Sequence, residues 1–259
     1  MSKLIERLEK VGTVAPTPMG FGANRAIEKA KSMLLIALSG TKSAAPDSKL
    51  KVDSYIIAAG EAAISELKAA KGAAGDALWG LWTDTLTTPS LKDLKGEGGD
   101  FFIFSTVDAP AEVLANDDLG RLITIPVEFP EELGHALEEM PVDAVLLAGL
   151  EEVSPLSVRN LMQIRSVRDL ISKPLLLLRT HSLNRDELAV LQDVGVQGLV
   201  VDLRSMNVKE AIQIEDAIEG LPPRKTRRDQ ADALLPRVSQ RAASHQSDDD
   251  DDGEEEEYE

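Results

Sequence analysis

Short apolar runs, several of them opened by a small residue and an aspartate, return along residues 34–203 at a nearly constant interval. Val52-Asp53-Ser54-Tyr55-Ile56-Ile57, Gly75-Asp76-Ala77-Leu78-Trp79, Gly99-Asp100-Phe101-Phe102-Ile103 and Val142-Asp143-Ala144-Val145-Leu146 carry the pattern. Eight runs of strand length can be laid out: Leu34–Ser39, Ser54–Ala59, Ala77–Thr83, Phe101–Thr106, Leu122–Phe129, Ala144–Gly149, Leu175–Thr180 and Leu199–Leu203. Most are apolar throughout rather than alternating, as strands covered on both faces are.

Helical patterns fill the gaps. Glu61–Ala70 sets Ala63, Ile64 and Leu67 on one face, and Glu131–Glu139 does the same with Leu133, Ala136 and Leu137. The clearest helix opens at Asn184 with Glu187 three residues on, a capping box, and stops at Gly195. Pro155–Ile171 and Val208–Ile218 have apolar positions three or four apart. Gly40–Lys51 and Asp84–Gly98 read poorly as helices, the second interrupted by Pro89. Strand–helix–strand alternation with short connections forces parallel strands and right-handed crossovers. Eight such units close into an α/β barrel; the alternative is an open doubly wound sheet, which usually has fewer strands and a glycine-rich first turn.

Pro174-Leu175-Leu176-Leu177-Leu178-Arg179 followed by Gly195-Val196-Gln197-Gly198-Leu199-Val200-Val201-Asp202 resembles the last two units of a TIM-type (β/α)8 barrel. The resemblance covers residues 34–219 and is one of pattern. It implies a location: a site, where there is one, lies at the C-terminal ends of the strands. It implies no chemistry, because this superfold hosts many activities.

Three regions are expected: residues 1–33 with N-terminal helices and a Pro/Gly loop, the barrel over 34–221, and residues 222–259 as a basic linker and disordered acidic tail. Two prolines and two glycines make Val11–Asn24 a loop, read as a brace across the lower end of the barrel or a cover over a ligand, and Arg25–Ser32 a second helix. The net charge is −17, but ten acids crowd the last twelve residues, and setting them aside leaves −7. That run self-repels and stays unfolded, free to fold back on Arg224–Arg228 or to dock a basic protein partner. The acidic body disfavours nucleic acid. No cysteine is present, which excludes disulfides and thiolate chemistry. Met1–Lys10 lacks an apolar stretch of signal-peptide length, and no run approaches a membrane span. A cytoplasmic protein without membrane contact is expected, with homo-oligomerisation left open.

Reading off the strand ends gives the candidate site. Glu128 shares side-chain parity with Thr124 and Pro126, which aims it into the mouth as a partly desolvated acid–base group. His181 and Asp202 are the other catalytic candidates. Arg179 and Arg204 form an anion clamp, and Ser39 and Thr106 are further ligand-binding positions. Asp84 with Glu128 offers carboxylates for Mg²⁺. Plainer roles compete: Arg179 and Asp202 end adjacent strands and could simply pair, His181 could be a loop or cap residue, and Trp79 and Trp82, on opposite faces of one strand, could both be core. Other templates fail. No strand carries the lysine of a Schiff-base enzyme. The three histidines, His135, His181 and His245, form no metal motif. The loops after the seventh and eighth strands contain no phosphate-binding glycine. The expectation is a barrel that binds a small anionic metabolite, with lyase or isomerase proton transfer as fitting chemistry. The alternative is a catalytically degenerate barrel that serves as a scaffold or interaction protein.

Overall fold

In the computed structural model all eight runs are strands: β1 (Leu34–Gly40), β2 (Ser54–Ala58), β3 (Trp79–Thr83), β4 (Phe101–Phe104), β5 (Gly120–Pro126), β6 (Ala144–Ala148), β7 (Leu175–Arg179) and β8 (Gly198–Asp202). Each pairs in parallel with the next, and β8 pairs with β1, so the barrel closes and an open sheet is excluded. The structure describes residues 2–12, 31–41, 50–59, 64–83, 87–104 and 109–222, all within one unit. The helices are α1 (Lys3–Lys10), α2 (Ile64–Ala74), α3 (Thr88–Gly96), α4 (Glu131–Glu139), α5 (Val158–Leu170), α6 (Arg185–Val194) and α7 (Val208–Glu219), with a 3-10 helix, Ala111–Ala115, between β4 and β5. None of these helices is long and apolar enough to cross a membrane.

The sheet separates two cores by simple alternation. Inward-facing Ile36, Ile56, Phe101, Ile103, Leu122 and Leu146 fill the barrel. Outward-facing Leu35, Ile57, Phe102, Ile123, Val145 and Leu177 pack beneath the helices. Phe101 fits because its inner neighbour is Gly80: a Cβ there would lie 2.4 Å from the Phe101 ring.

The lower end is closed by α1. Leu4, Ile5 and Leu8, on one stripe of the helix, are buried among the interior residues. Its N-terminus is held by Asp100, whose carboxylate accepts from Ser2 Oγ (2.6 Å), Lys3 N (2.9 Å) and Leu4 N (3.0 Å). At the other end Gln197 Nε2 donates to Leu8 O at 3.1 Å. Three of the four recurring strand-start aspartates, Asp53, Asp100 and Asp143, are therefore lower-face braces, while Asp76 is exposed. Asp53 accepts from Leu35 N of β1 (3.0 Å) and pairs with Lys31. Asp143 accepts from Arg121 N (2.8 Å) and Nε (3.0 Å) of β5. Polar contacts at this end of such barrels serve stability.

Local signals behave as their chemistry dictates, with instructive departures. Asn184 caps α6 through the box with Glu187, and Gly195 closes it at φ 108°. The segment containing Pro89 is a helix after all. Thr87 caps α3 with Ser90, and Pro89 sits in the first turn, where no N–H is required. The fifth strand begins at Gly120 and ends at Pro126, two residues earlier and three residues earlier than its apolar run. Residues 13–30, which hold most of the Pro/Gly loop and the expected second helix, lie outside the described residues, as do 42–49 of the first crossover and all of 223–259. The brace that is observed is α1.

Candidate functional site

The strand register decides what faces the mouth. Strands in an eight-stranded barrel are staggered so that inward side chains from alternate strands fall into layers. Following the pairings, Leu38, Trp82, Thr124 and Leu178 share one layer. The next layer up holds Ala58, Ala148 and Asp202, its β4 position lying outside the described residues. Larger side chains thus occupy the lower of the two layers, the half-buried Trp82 among them, and small alanines two positions of the upper one. The Thr124 hydroxyl, in the lower layer, is buried without a hydrogen-bond partner among the described residues.

Asp202 is the charged side chain of that upper layer. It is 5% exposed, and Arg204 grips it edge-on: Nε lies 2.8 Å from Oδ1 and Nη2 2.7 Å from Oδ2. The Arg204 backbone N–H donates to the same Oδ1 at 3.0 Å. The turn after β8 reinforces this, with Ser205 N and Met206 N both donating to Asp202 O. The hydrogen bonds to Asp202 push the Arg204 pKa up against a smaller opposing effect of burial. Half of the Arg204 side chain, 47%, stays exposed. Two edges of a guanidinium can each bind an oxyanion pair. The Nε edge is occupied here, and the outer edge remains to be used.

Arg179 does not join this site. It shares parity with Leu175 and Leu177, so it points outward beneath the helices, fully buried. Its Nη1 donates to Leu150 O and its Nη2 to Val153 O, carbonyls of the β6–α5 connection. Nε has no partner. Burial pushes its pKa down, opposed by the carboxylates of Glu187 and Glu151. The connection is further held by Thr180 Oγ1 donating to Glu151 O (2.7 Å) and by Glu187 accepting from Leu156 N (3.0 Å). Arg179 is a loop lock, and the anion clamp and the Arg179–Asp202 pair expected from the strand tips are both corrected. Strand alternation in β7 carried the signal, and so did the apolar residues on either side.

The remaining candidates are scattered. Glu128 follows the end of β5 on a bend, is exposed, and accepts from Gln163 Nε2 of α5 at 3.3 Å. Parity ceased to apply once the strand stopped at Pro126. His181 is exposed, with Nδ1 3.0 Å from Thr180 Oγ1. Ser39 is buried on the helix-facing side of β1 beside Ala37, and its nearest acceptor is Gly40 O at 3.5 Å. Trp79 is buried in the outer core, and Trp82 faces inward. Thr106 and Asp84 lie outside the described residues, so the Asp84–Glu128 arrangement for Mg²⁺ does too. Among the described residues no three acidic or imidazole groups gather as metal ligands would.

No family model and no curated protein matches this sequence. Solved structures match it in fold. A mutant tryptophan synthase alpha-subunit from Pyrococcus furiosus has a TM-score of 0.53 at 12% identity, over 72% of this chain and 98% of that one. The tryptophan synthase complex from the same organism has a TM-score of 0.52 at 15% identity, over 74% and 98%. Thiamine phosphate pyrophosphorylase from Pyrococcus furiosus has a TM-score of 0.53 at 14% identity, over 72% and 96%. At such identities the likeness is one of fold, and function has to be argued from the site.

Proposed function

We propose that this TIM-type barrel binds a small anionic metabolite with an apolar body in its C-terminal mouth, Arg204 taking the carboxylate or phosphate. The observation that carries the reading is the Arg204–Asp202 pair. A half-exposed guanidinium, fixed along one edge by a buried carboxylate, presents its other edge already oriented. Pre-orientation lowers the ordering cost of binding. The floor of Leu38, Trp82 and Leu178 suits an apolar ligand body, and the unpartnered Thr124 hydroxyl suits one polar atom on it. Ligand entry should change the emission of Trp82. Titrating the chain with a panel of carboxylates and phosphate esters tests this. Saturable emission changes that disappear in Trp82→Phe and weaken in Arg204→Ala are expected; signals indifferent to both substitutions would refute it.

A second reading, a barrel that binds without turning over, rests on a separate observation. Arg179 is engaged by backbone carbonyls and Asp202 by Arg204, so neither is free for proton transfer. Lyase or isomerase chemistry would fall to the exposed Glu128 or His181. A scaffold would instead work through partners of the basic segment and acidic tail. Comparing pull-downs by the whole chain and by one ending before residue 224 separates the two.

A further inference from the structure

Among the described residues, the stretch from β4 to β5 leaves part of the barrel's outer face uncovered. The crossovers on either side carry α3 and α4, but the described part of this one carries only the 3-10 helix Ala111–Ala115. A cavity of about 190 Å³ lies there, floored by Phe104 and Ile123 of the sheet and walled by Leu114 on one side and Leu133 and Met140 on the other. Leu133 is 47% and Met140 43% exposed. Exposed single apolar side chains are ordinary, whereas an apolar groove joined to the outer core marks a contact surface.

The surrounding charge is one-sided. Residues 109–140 contain eight acids, against a single arginine and a single histidine. That arginine, Arg121, is 13% exposed and already bound to Asp143 and Asp117. On α4, Leu133 and Ala136 share one face by their spacing, Met140 at its C-cap lines the same groove, and exposed Glu132 and Glu139 lie beside them. Exposed Glu112 is in the 3-10 helix whose Val113 and Leu114 line the groove.

We propose that this groove docks an amphipathic helix of a partner protein, its apolar stripe inserted between Leu114 and Leu133 and its flanks carrying lysine or arginine. Helix-in-groove recognition needs an apolar slot for spaced anchors and gains direction from charges on its borders. A second copy of this chain fits poorly, because a symmetric contact would bring the same acids face to face.

A ¹⁵N-labelled full chain can be titrated with a synthetic helical peptide of about 18 residues, with leucines on one stripe and lysines beside it. A control carries glutamate for every lysine. The basic peptide is expected to bind saturably and shift amides of residues 111–114 and 133–140, while the acidic one does not. Leu133→Glu with Met140→Glu should weaken binding at least about tenfold. Glu132→Lys with Glu139→Lys should weaken the basic peptide and admit the acidic one. All four positions are exposed, so melting temperatures confirm the fold. The absence of saturable shifts, equal binding of the two peptides, or shifts elsewhere overturns the proposal. So does self-association on sedimentation that Leu133→Glu abolishes, which would assign the groove to a second copy.

Discussion

Arg204 lies along Asp202 with two parallel contacts of 2.8 and 2.7 Å, and the carboxylate is buried while the guanidinium is not. The asymmetry decides what each partner does. Asp202 organises the turn after β8, and Arg204 faces solvent. Asp202→Asn keeps the shape but loses one charge-assisted edge. With Arg204 half in water, the expected cost is about 1 kcal/mol. Backbone amides of Arg204 to Met206 should exchange faster, a local effect that hydrogen exchange reads directly.

Arg179 is predicted to matter for stability and not for anion affinity. Arg179→Met fills much of the volume but takes the guanidinium donors away from the carbonyls of Leu150 and Val153, leaving Leu150 O with the Val153 N–H at 3.3 Å, a loss of about 1–3 kcal/mol in urea unfolding. Arg179→Ala adds a cavity and should cost more. Exchange protection in residues 149–156 should fall first. Ligand affinity of the folded variant should stay within about twofold of the parent, and a larger drop would return Arg179 to the clamp.

Asp100 holds the lower plug. Its carboxylate receives three donors from the start of α1, where a negative charge also suits the helix dipole. Asp100→Ala is expected to lower unfolding free energy by about 1–2 kcal/mol and to loosen Leu4 and Leu8 from the barrel interior. Asp100→Asn should recover part of that loss.

The Glu138 carboxyl is held below its ordinary range. Burial pushes it up, but hydrogen bonds from the Ser172 hydroxyl and backbone N–H outweigh that, helped by Lys173. A carboxyl lowered by folding contributes stability that is complete above its unfolded value and is lost as pH falls through the folded one. The contact is partly exposed, so the effect is small. Urea midpoints measured from neutral to acid pH should show a shallower acid decline in Glu138→Gln than in the parent.

The barrel was legible because strands apolar along their whole length recur with helices between them, which marks a parallel sheet covered on both faces, and because there are eight of them, more than an open doubly wound sheet usually has. Three of the four aspartates that marked strand starts proved to be braces, Asp53 and Asp143 between neighbouring strands and Asp100 to α1. Pro89 misled because a proline disrupts a helix interior but suits its first turn, and Thr87 had already supplied the cap. The site was less legible. Strand ends identify residues near the mouth, but which of them face it depends on parity and on the last paired residue. Asp202 passes that test, Arg179 and Ser39 point beneath the helices, and Glu128 lies past the end of its strand. The groove beside the 3-10 helix was hidden because the sequence pattern does not show that the described part of the β4–β5 crossover is a 3-10 turn and not an α-helix.

Isothermal calorimetry of the strongest panel ligand against the parent chain, Arg204→Ala and Arg179→Met tests the mouth most directly. At least about a tenfold weakening in Arg204→Ala, the loss of a charge-assisted pair, with Arg179→Met close to the parent, is the expected result. Equal affinities for the parent and Arg204→Ala, or a loss confined to Arg179→Met, would contradict it.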